Sequence, residues 1–278
     1  MTYIEGVDPR GTSPNDPCPL DRERGRTDDR SQLKLRLFHA PSAYLEGALD
    51  NPELGPEELA ILLRNQESSV EIVARIGRNR AWMRARAIQV ALVANPRAPQ
   101  LVARRFLPHL TWRDLAEVAA NLRLSPVVRR EAEKLLGTRL PELALGEKVA
   151  LARRGSRGVV DKLRDETDPL VLRALAGNPR TTETDLARVL ARMDVPSDFL
   201  AWLADRSSWS QRRSVRLALV RHPRTPASSA LRLTRELSRT DIDELRRDVA
   251  APRLVRVAAE RLLSSAGAGS EGSPPYFG

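Results

Sequence analysis

The sequence predicts an all-α fold: a right-handed α-solenoid of about five repeats of 41–44 residues. Three observations lead there. Residues 51–137 reappear without a gap as residues 178–264, at an offset of 127. Trp82 falls on Trp209, Arg86 on Arg213, Asp114 on Asp241, and Ala91-Leu92-Val93 on Ala218-Leu219-Val220. A shorter period runs inside each block. Asn51-Pro52 and Asn95-Pro96 lie 44 residues apart, as do Asn178-Pro179 and His222-Pro223. Apolar residues recur at three and four positions, and no alternating strand pattern of useful length is present. Units of this kind cannot bury an apolar face alone and gain a core by stacking on their neighbours.

Each repeat has room for three short helices. In the first, Pro56 to Arg64, Ser68 to Arg78 and Trp82 to Ala94 are predicted helical. Pro56 suits a first turn, where its missing N–H costs nothing, and Glu57 and Glu58 favour the positive end of the helix dipole. Asn95 suits a left-handed C-cap and Pro96 forbids continuation, so Asn-Pro reads as a helix stop. The second repeat takes Pro99–Leu107, Trp112–Asn121 and Pro126–Leu136. A degenerate middle repeat, 138–177, takes Gly146–Arg153, Gly158–Arg164 and Pro169–Leu175. The fourth takes Glu183–Ala191, Asp198–Ala204 and Trp209–Val220, and the fifth Ala227–Leu237, Asp241–Val249 and Leu254–Leu263. The solenoid is thus expected over 32–264, between disordered segments at 1–31 and 265–278 whose composition cannot offset the entropy of ordering. Tyr276-Phe277 is the one aromatic pair in that tail.

Aromatic residues make up 4% of the chain, so the core is expected to be Leu, Val and Ala, poor material for a deep aromatic pocket. The single Cys18 excludes a disulfide framework and a thiolate metal site. His39, His109 and His222 lack metal-ligand spacing, so no metal or other cofactor is expected. No phosphate-binding glycine loop is present, and Ser156 sits in no nucleophile elbow. With no apolar leader and no run long enough to span a membrane, a cytoplasmic location is expected.

The net charge of +10 is carried by residues 51–264, between slightly acidic ends. A basic solenoid suggests a polyanionic partner. Only Lys34, Lys134, Lys148 and Lys162 among the 46 basic residues are lysines, a bias that a GC-rich genome also produces. The densest clusters are Arg75, Arg78, Arg80, Arg84 and Arg86, and then Arg206, Arg212, Arg213, Arg216, Arg221 and Arg224. Of these, Arg75, Arg78, Arg84, Arg86, Arg206, Arg212, Arg213 and Arg216 form the candidate basic stripe, set against the alternative of an ordinary solvated face. Trp82 and Trp209 recur at one position and are expected to pack structurally. Trp112 and Trp202 do not match each other, and each lies near an acid, Asp114 and Asp205.

Asn-Pro-Arg-Ala-Pro at 95–99 and Asn-Pro-Arg-Thr-Thr at 178–182, followed by Leu at helical spacing, resemble bacterial HEAT- and armadillo-like repeats and their leucine-rich-repeat variant, over residues 45–264. The resemblance implies a curved superhelix that binds a protein or nucleic acid without chemistry of its own. The cysteine-ligated iron–sulfur module of the leucine-rich-repeat variant cannot be carried over to a chain with one cysteine. The expected function is a non-enzymatic scaffold for a protein partner. A nucleic-acid-binding solenoid is the first alternative. The second is a glycosylase resembling the HEAT-like alkylpurine DNA glycosylases, which work through aromatic side chains and a carboxylate.

Overall fold

The structure, a computed structural model, describes residues 19–205 and 207–268. Among these residues it holds nineteen α-helices, short 3-10 turns and no strand. The chain divides into two units, one ending at Leu136 and the other starting at Gly137.

The first unit contains α1 (Pro19–Thr27), α2 (Arg30–Arg36), α3 (Ser42–Ala48), α4 (Pro56–Leu62), α5 (Val70–Arg78), α6 (Arg86–Val93), α7 (Gln100–Phe106) and α8 (Trp112–Ala120). It closes on α9 (Pro126–Arg139), whose last residues begin the second unit. The second unit contains α10 (Leu145–Arg154), α11 (Arg157–Leu163), α12 (Pro169–Ala176), α13 (Glu183–Leu190), α14 (Ser197–Asp205), α15 (Ser207–Ser210), α16 (Arg213–Arg221), α17 (Ala227–Arg235), α18 (Arg239–Arg247) and α19 (Arg253–Ala268). Shifted by 127, α1 to α9 fall on α10 to α14 and α16 to α19, and the 3-10 turn Trp82–Arg84 falls beside α15. The duplication therefore extends to α1–α3 and α10–α12, where few sequence identities mark it.

Local chemistry sets the starts. Pro56 and Pro169 occupy first turns, and Asp168 accepts from the backbone N–H of Leu170 at 2.8 Å. Thr111 and Thr182 head α8 and α13 in capping boxes with Asp114 and Asp185. Within the units, α1 packs on α3, α4 on α6, α10 on α12, α13 on α16, and α17 on α19. The core is Leu, Val, Ile and Ala, with Phe199 the largest wholly buried side chain.

Three differences from expectation stand out. Residues 19–31, read as part of a disordered segment, lie in α1 and the start of α2; residues 1–18, with Cys18, lie outside the described residues. What holds α1 is close backbone approach to α3. A Cβ on Gly25 would lie 2.2 Å from the Tyr44 carbonyl oxygen, and one on Gly47 would lie 2.0 Å from that of Arg22. The Tyr44 hydroxyl donates to Asp28 at 2.6 Å; burial first, then this bond, pushes its pKa up. At the other end, residues 265–268 complete α19, and Tyr276-Phe277 lies outside the described residues.

The second difference is a break. Trp82–Ala94 and Trp209–Val220 were each expected as one helix. Both are interrupted at equivalent residues, Ala85 and Arg212, whose backbones are extended. Third, the helices before the Asn95-Pro96 and Asn178-Pro179 turns are capped one residue earlier than expected, at Ala94 and Gly177 rather than at the asparagines, and both caps are right-handed. His222, itself a cap, is extended.

Candidate partner-binding grooves

The Asn-Pro turns are where the site begins. Each turn places a polar side chain inward, and its amide ties the turn to a helix end further back in the chain. Asn51 Nδ2 donates to the carbonyls of Gly25 and Asp28, at 3.0 and 2.8 Å. Asn178 Nδ2 donates to those of Ala152 and Gly155, at 2.8 and 3.2 Å. Asn95 donates to Leu63, and Asn65, which has no proline after it, donates to Leu37 and Ala40. In every case the side-chain oxygen also accepts from the backbone N–H two residues on. His222 does the same work with a ring: Nδ1 accepts from the Arg224 N–H and Nε2 meets the Arg192 carbonyl at 2.8 Å. Arg192, the counterpart of Asn65, donates to the carbonyls of Arg164 and Glu166. Buried helix-end carbonyls need such partners. With the inner residue fixed, the next residue is pushed out: Pro52, Gln66, Pro96, Leu122, Pro179, Met193, Pro223 and Val249 are all exposed.

A second device orients the helices around these turns. Four arginines in first turns each meet a carboxylate 28 residues later: Arg30 with Glu58, Arg86 with Asp114, Arg157 with Asp185, Arg213 with Asp241. Each carboxylate is the third residue of its helix. Glu58, Asp114 and Asp185 also accept from the N-cap backbone N–H, at 3.1, 3.0 and 2.8 Å, and Asp241 accepts from the Ser238 hydroxyl at 2.7 Å. Glu58 and Asp185 are wholly buried, whereas the arginines are about half exposed. The Arg157 bond holds Asp185 far below the usual carboxylate range, and the Arg213 bond lowers Asp241. For Glu58 and Asp114 burial, the largest influence, pushes upward. At Glu58 the Arg30 bond, and at Asp114 the Thr111 and Arg86 bonds, lead the groups that outweigh it.

Turns and helices together build one groove twice. In the first unit its volume is about 740 Å³, with Val90 and Ala91 of α6 and its cap residue Ala94 as floor and Gln66, Pro96 and Asn121 in the walls. In the second it is about 550 Å³, with Leu217, Ala218 and Arg221 of α16 as floor and Met193, Pro223 and Asp248 in the walls. Each residue of the second trio is its counterpart at an offset of 127. Leu122 and Val249, at the tips of the turns that close the grooves, are 79% and 83% exposed.

No family model, curated protein or solved structure matches this chain. The grooves are therefore read from their own chemistry.

The two copies differ in charge. Arg64 and Arg123 edge the first groove, where the second has Ala191 and Ala250. In the second, Arg221 donates to Asp248 at 2.9 Å, where the first has Ala94 and Asn121. Arg97 and Arg224, after the prolines, each reach the carbonyl of the facing tip residue, Gln66 and Met193.

The candidate stripe is divided by the structure. Arg75 pairs with Asp50, Arg86 with Asp114, Arg212 with Glu183, Arg213 with Asp241, and Arg216 approaches Glu236 while donating to the Ser210 carbonyl. Arg78 and Arg84 are exposed, and Arg206 lies outside the described residues. Only Arg86 and Arg213 are true counterparts, and both are committed to the helix-orienting pairs. Trp209 donates to the Ala176 carbonyl at 3.0 Å beneath Arg212, 4.3 Å from its ring centre; Trp82, its counterpart, is half-buried. Trp202 stacks on Phe199 at 6.0 Å. Of the two acids near tryptophans, Asp114 is held by Thr111 and Arg86, and Asp205 pairs with Arg232 at the surface. Among the described residues no cluster of His, Cys, Asp and Glu is arranged to hold a metal, and no helix is long and apolar enough to cross a membrane.

Sequence reasoning did not find Arg30–Glu58, Arg157–Asp185 or the groove walls. The signal was there in part, since Arg30 lies 127 before Arg157 and Glu58 lies 127 before Asp185. With an acid of different length at one end and few identities around it, that match does not stand out.

Proposed function

We propose that this chain is a right-handed α-solenoid of three-helix repeats that binds a protein partner as a scaffold, without chemistry of its own. The observation that carries this reading is the groove formed at equivalent positions in both units, floored by small and aliphatic side chains, with Arg221 added in the second, and edged by exposed turn tips. An open channel with a largely apolar floor and polar rim suits a segment of another protein. Because α1–α3 are counterparts of α10–α12, six repeats describe the chain better than five. The HEAT-like resemblance is part of this proposal.

The test is site-specific photo-crosslinking from Ala94, an exposed residue of the first groove, and from its counterpart in the second, Arg221. Crosslinks from both positions to a discrete protein, absent when the photoreactive residue stands at exposed Arg130, are the expected result. Adducts only to nucleic acid would move the reading to the polyanion alternative, whose affinity should fall steeply with salt. No adduct from either groove would remove the scaffold reading.

A further inference from the structure

The duplication provides an internal comparison for a second cleft, which shares no residue with the grooves. In the first unit a cleft of about 560 Å³ lies between α5 and α7. Arg78, Arg80 and Arg105 line it together with Met83, Leu101, Val102 and Phe106. No carboxylate lines it, and none pairs with these three arginines among the described residues. Leu101 is 81% exposed, and the Arg105 guanidinium lies 5.7 Å from the centre of the Phe106 ring.

The second unit shows what the same positions do when they are self-contained. Arg232, counterpart of Arg105, donates to Asp205 at 2.9 Å and to the Ala204 carbonyl at 3.0 Å. Asp205 stands where the first unit has Arg78. Ser210, Ser228 and Ser229 stand where it has Met83, Leu101 and Val102. Three changes thus separate the copies, one of them Arg80 where the second unit has Ser207. The counter-ion is replaced by a further cation, and three hydroxyls are replaced by apolar side chains. A cation cluster beside uncovered apolar surface is unfavourable in isolation and favourable against a group that is both anionic and apolar.

We infer that this cleft is the docking site for an acidic, apolar peptide segment of a partner protein. Its carboxylate takes the place beside Arg105 that Asp205 holds beside Arg232, and its apolar side chains cover Leu101 and Val102. Charge complementarity selects the acid, and the apolar lining separates a peptide from a phosphate backbone, which would leave Leu101 and Val102 uncovered. The inference rests on the protein-scaffold reading and adds to it a partner chemistry and a place.

The experiment is selection of a displayed library of random dodecapeptides on the full chain, followed by affinities of labelled winners for three variants. Arg78→Asp rebuilds the ion pair already seen in the second unit, so the fold is retained and the site neutralises itself. Leu101→Ser copies Ser228 at an exposed position. Ala94→Arg obstructs only the first groove. The expected winners combine Asp or Glu with large apolar residues. They lose about tenfold or more in affinity for Arg78→Asp, weaken for Leu101→Ser and are unchanged by Ala94→Arg. Winners without acidic residues, winners indifferent to Arg78→Asp, or no winners at all would overturn the inference. Winners lost only on Ala94→Arg would do so while supporting the duplicated groove. A single-stranded oligonucleotide whose binding depends on Arg78, with no such peptide, would assign the cleft to nucleic acid instead.

Discussion

A single side chain at the same place in successive turns does two jobs, and the chemistry of the job matters more than the residue's name. Asn51, Asn65, Asn95 and Asn178 are each buried, with an amide that caps distant carbonyls and an oxygen that shapes the local turn. Loss of the amide strands polar groups out of water. Asn178→Ala is therefore expected to lower unfolding free energy by about 2 kcal/mol in urea titrations, since the Ala152 and Gly155 carbonyls and the Arg180 N–H all lose a partner. His222→Ala should cost a similar amount. His222→Asn should cost under about 1 kcal/mol, because an asparagine there recovers the geometry of Asn95. Equal losses for both His222 variants would show that ring packing, not hydrogen bonding, fixes that residue. The Asn-Pro motif was legible as a helix stop. Its inward amide was not, because no local pattern reveals a bond to a carbonyl some thirty residues back.

At the scale of elements, the apolar stripes after residue 51 announced nearly every helix. The exceptions follow from forces that leave no stripe. α1 is mostly charged and is held by glycines that allow backbones to touch. Gly25→Ala and Gly47→Ala push a methyl into backbone oxygen, and each is expected to cost about 2 kcal/mol or more. Hydrogen exchange should show residues 19–27 losing protection in both variants while α13–α18 are unaffected. Unchanged protection in α1 would refute close packing as its anchor. The breaks at Ala85 and Arg212 carry no Gly or Pro to mark them. Each precedes the arginine that must reach a carboxylate 28 residues on, and Gln89 and Arg216 satisfy the carbonyls left behind, those of Met83 and Ser210.

Across the whole molecule the four arginine–carboxylate pairs set a pH limit. All four carboxylates have folded-state pKa values below the usual range. A depressed carboxylate contributes stability above its unfolded pKa, about 3.9 for Asp and 4.3 for Glu, and that contribution disappears as pH falls through the folded value. Thermal midpoints should hold steady at neutral pH and drop below about pH 4. Asp185→Asn should lower the neutral midpoint and flatten the acid slope, because it removes the most strongly depressed group. An acid slope identical to the parent's would place the sensitivity elsewhere. The duplication of residues 51–137 as 178–264 was legible in the sequence, but its extension to α1–α3 and α10–α12 was not, nor were the grooves it builds. Their walls are turn tips such as Gln66 and Met193, which resemble each other in position and not in residue type.

The bonds that the asparagine amides donate all run backward along the chain, over spans of 23 to 32 residues. Synthesis delivers the acceptor first and the donor a few seconds later, at elongation rates of about 5–20 residues per second. Each stretch of helices can thus be sealed by the next as it leaves the ribosome, without waiting for the C-terminus. Contacts this close in sequence fold quickly, so a nascent chain of this kind exposes little unfinished surface to chaperones or to its neighbours at any moment.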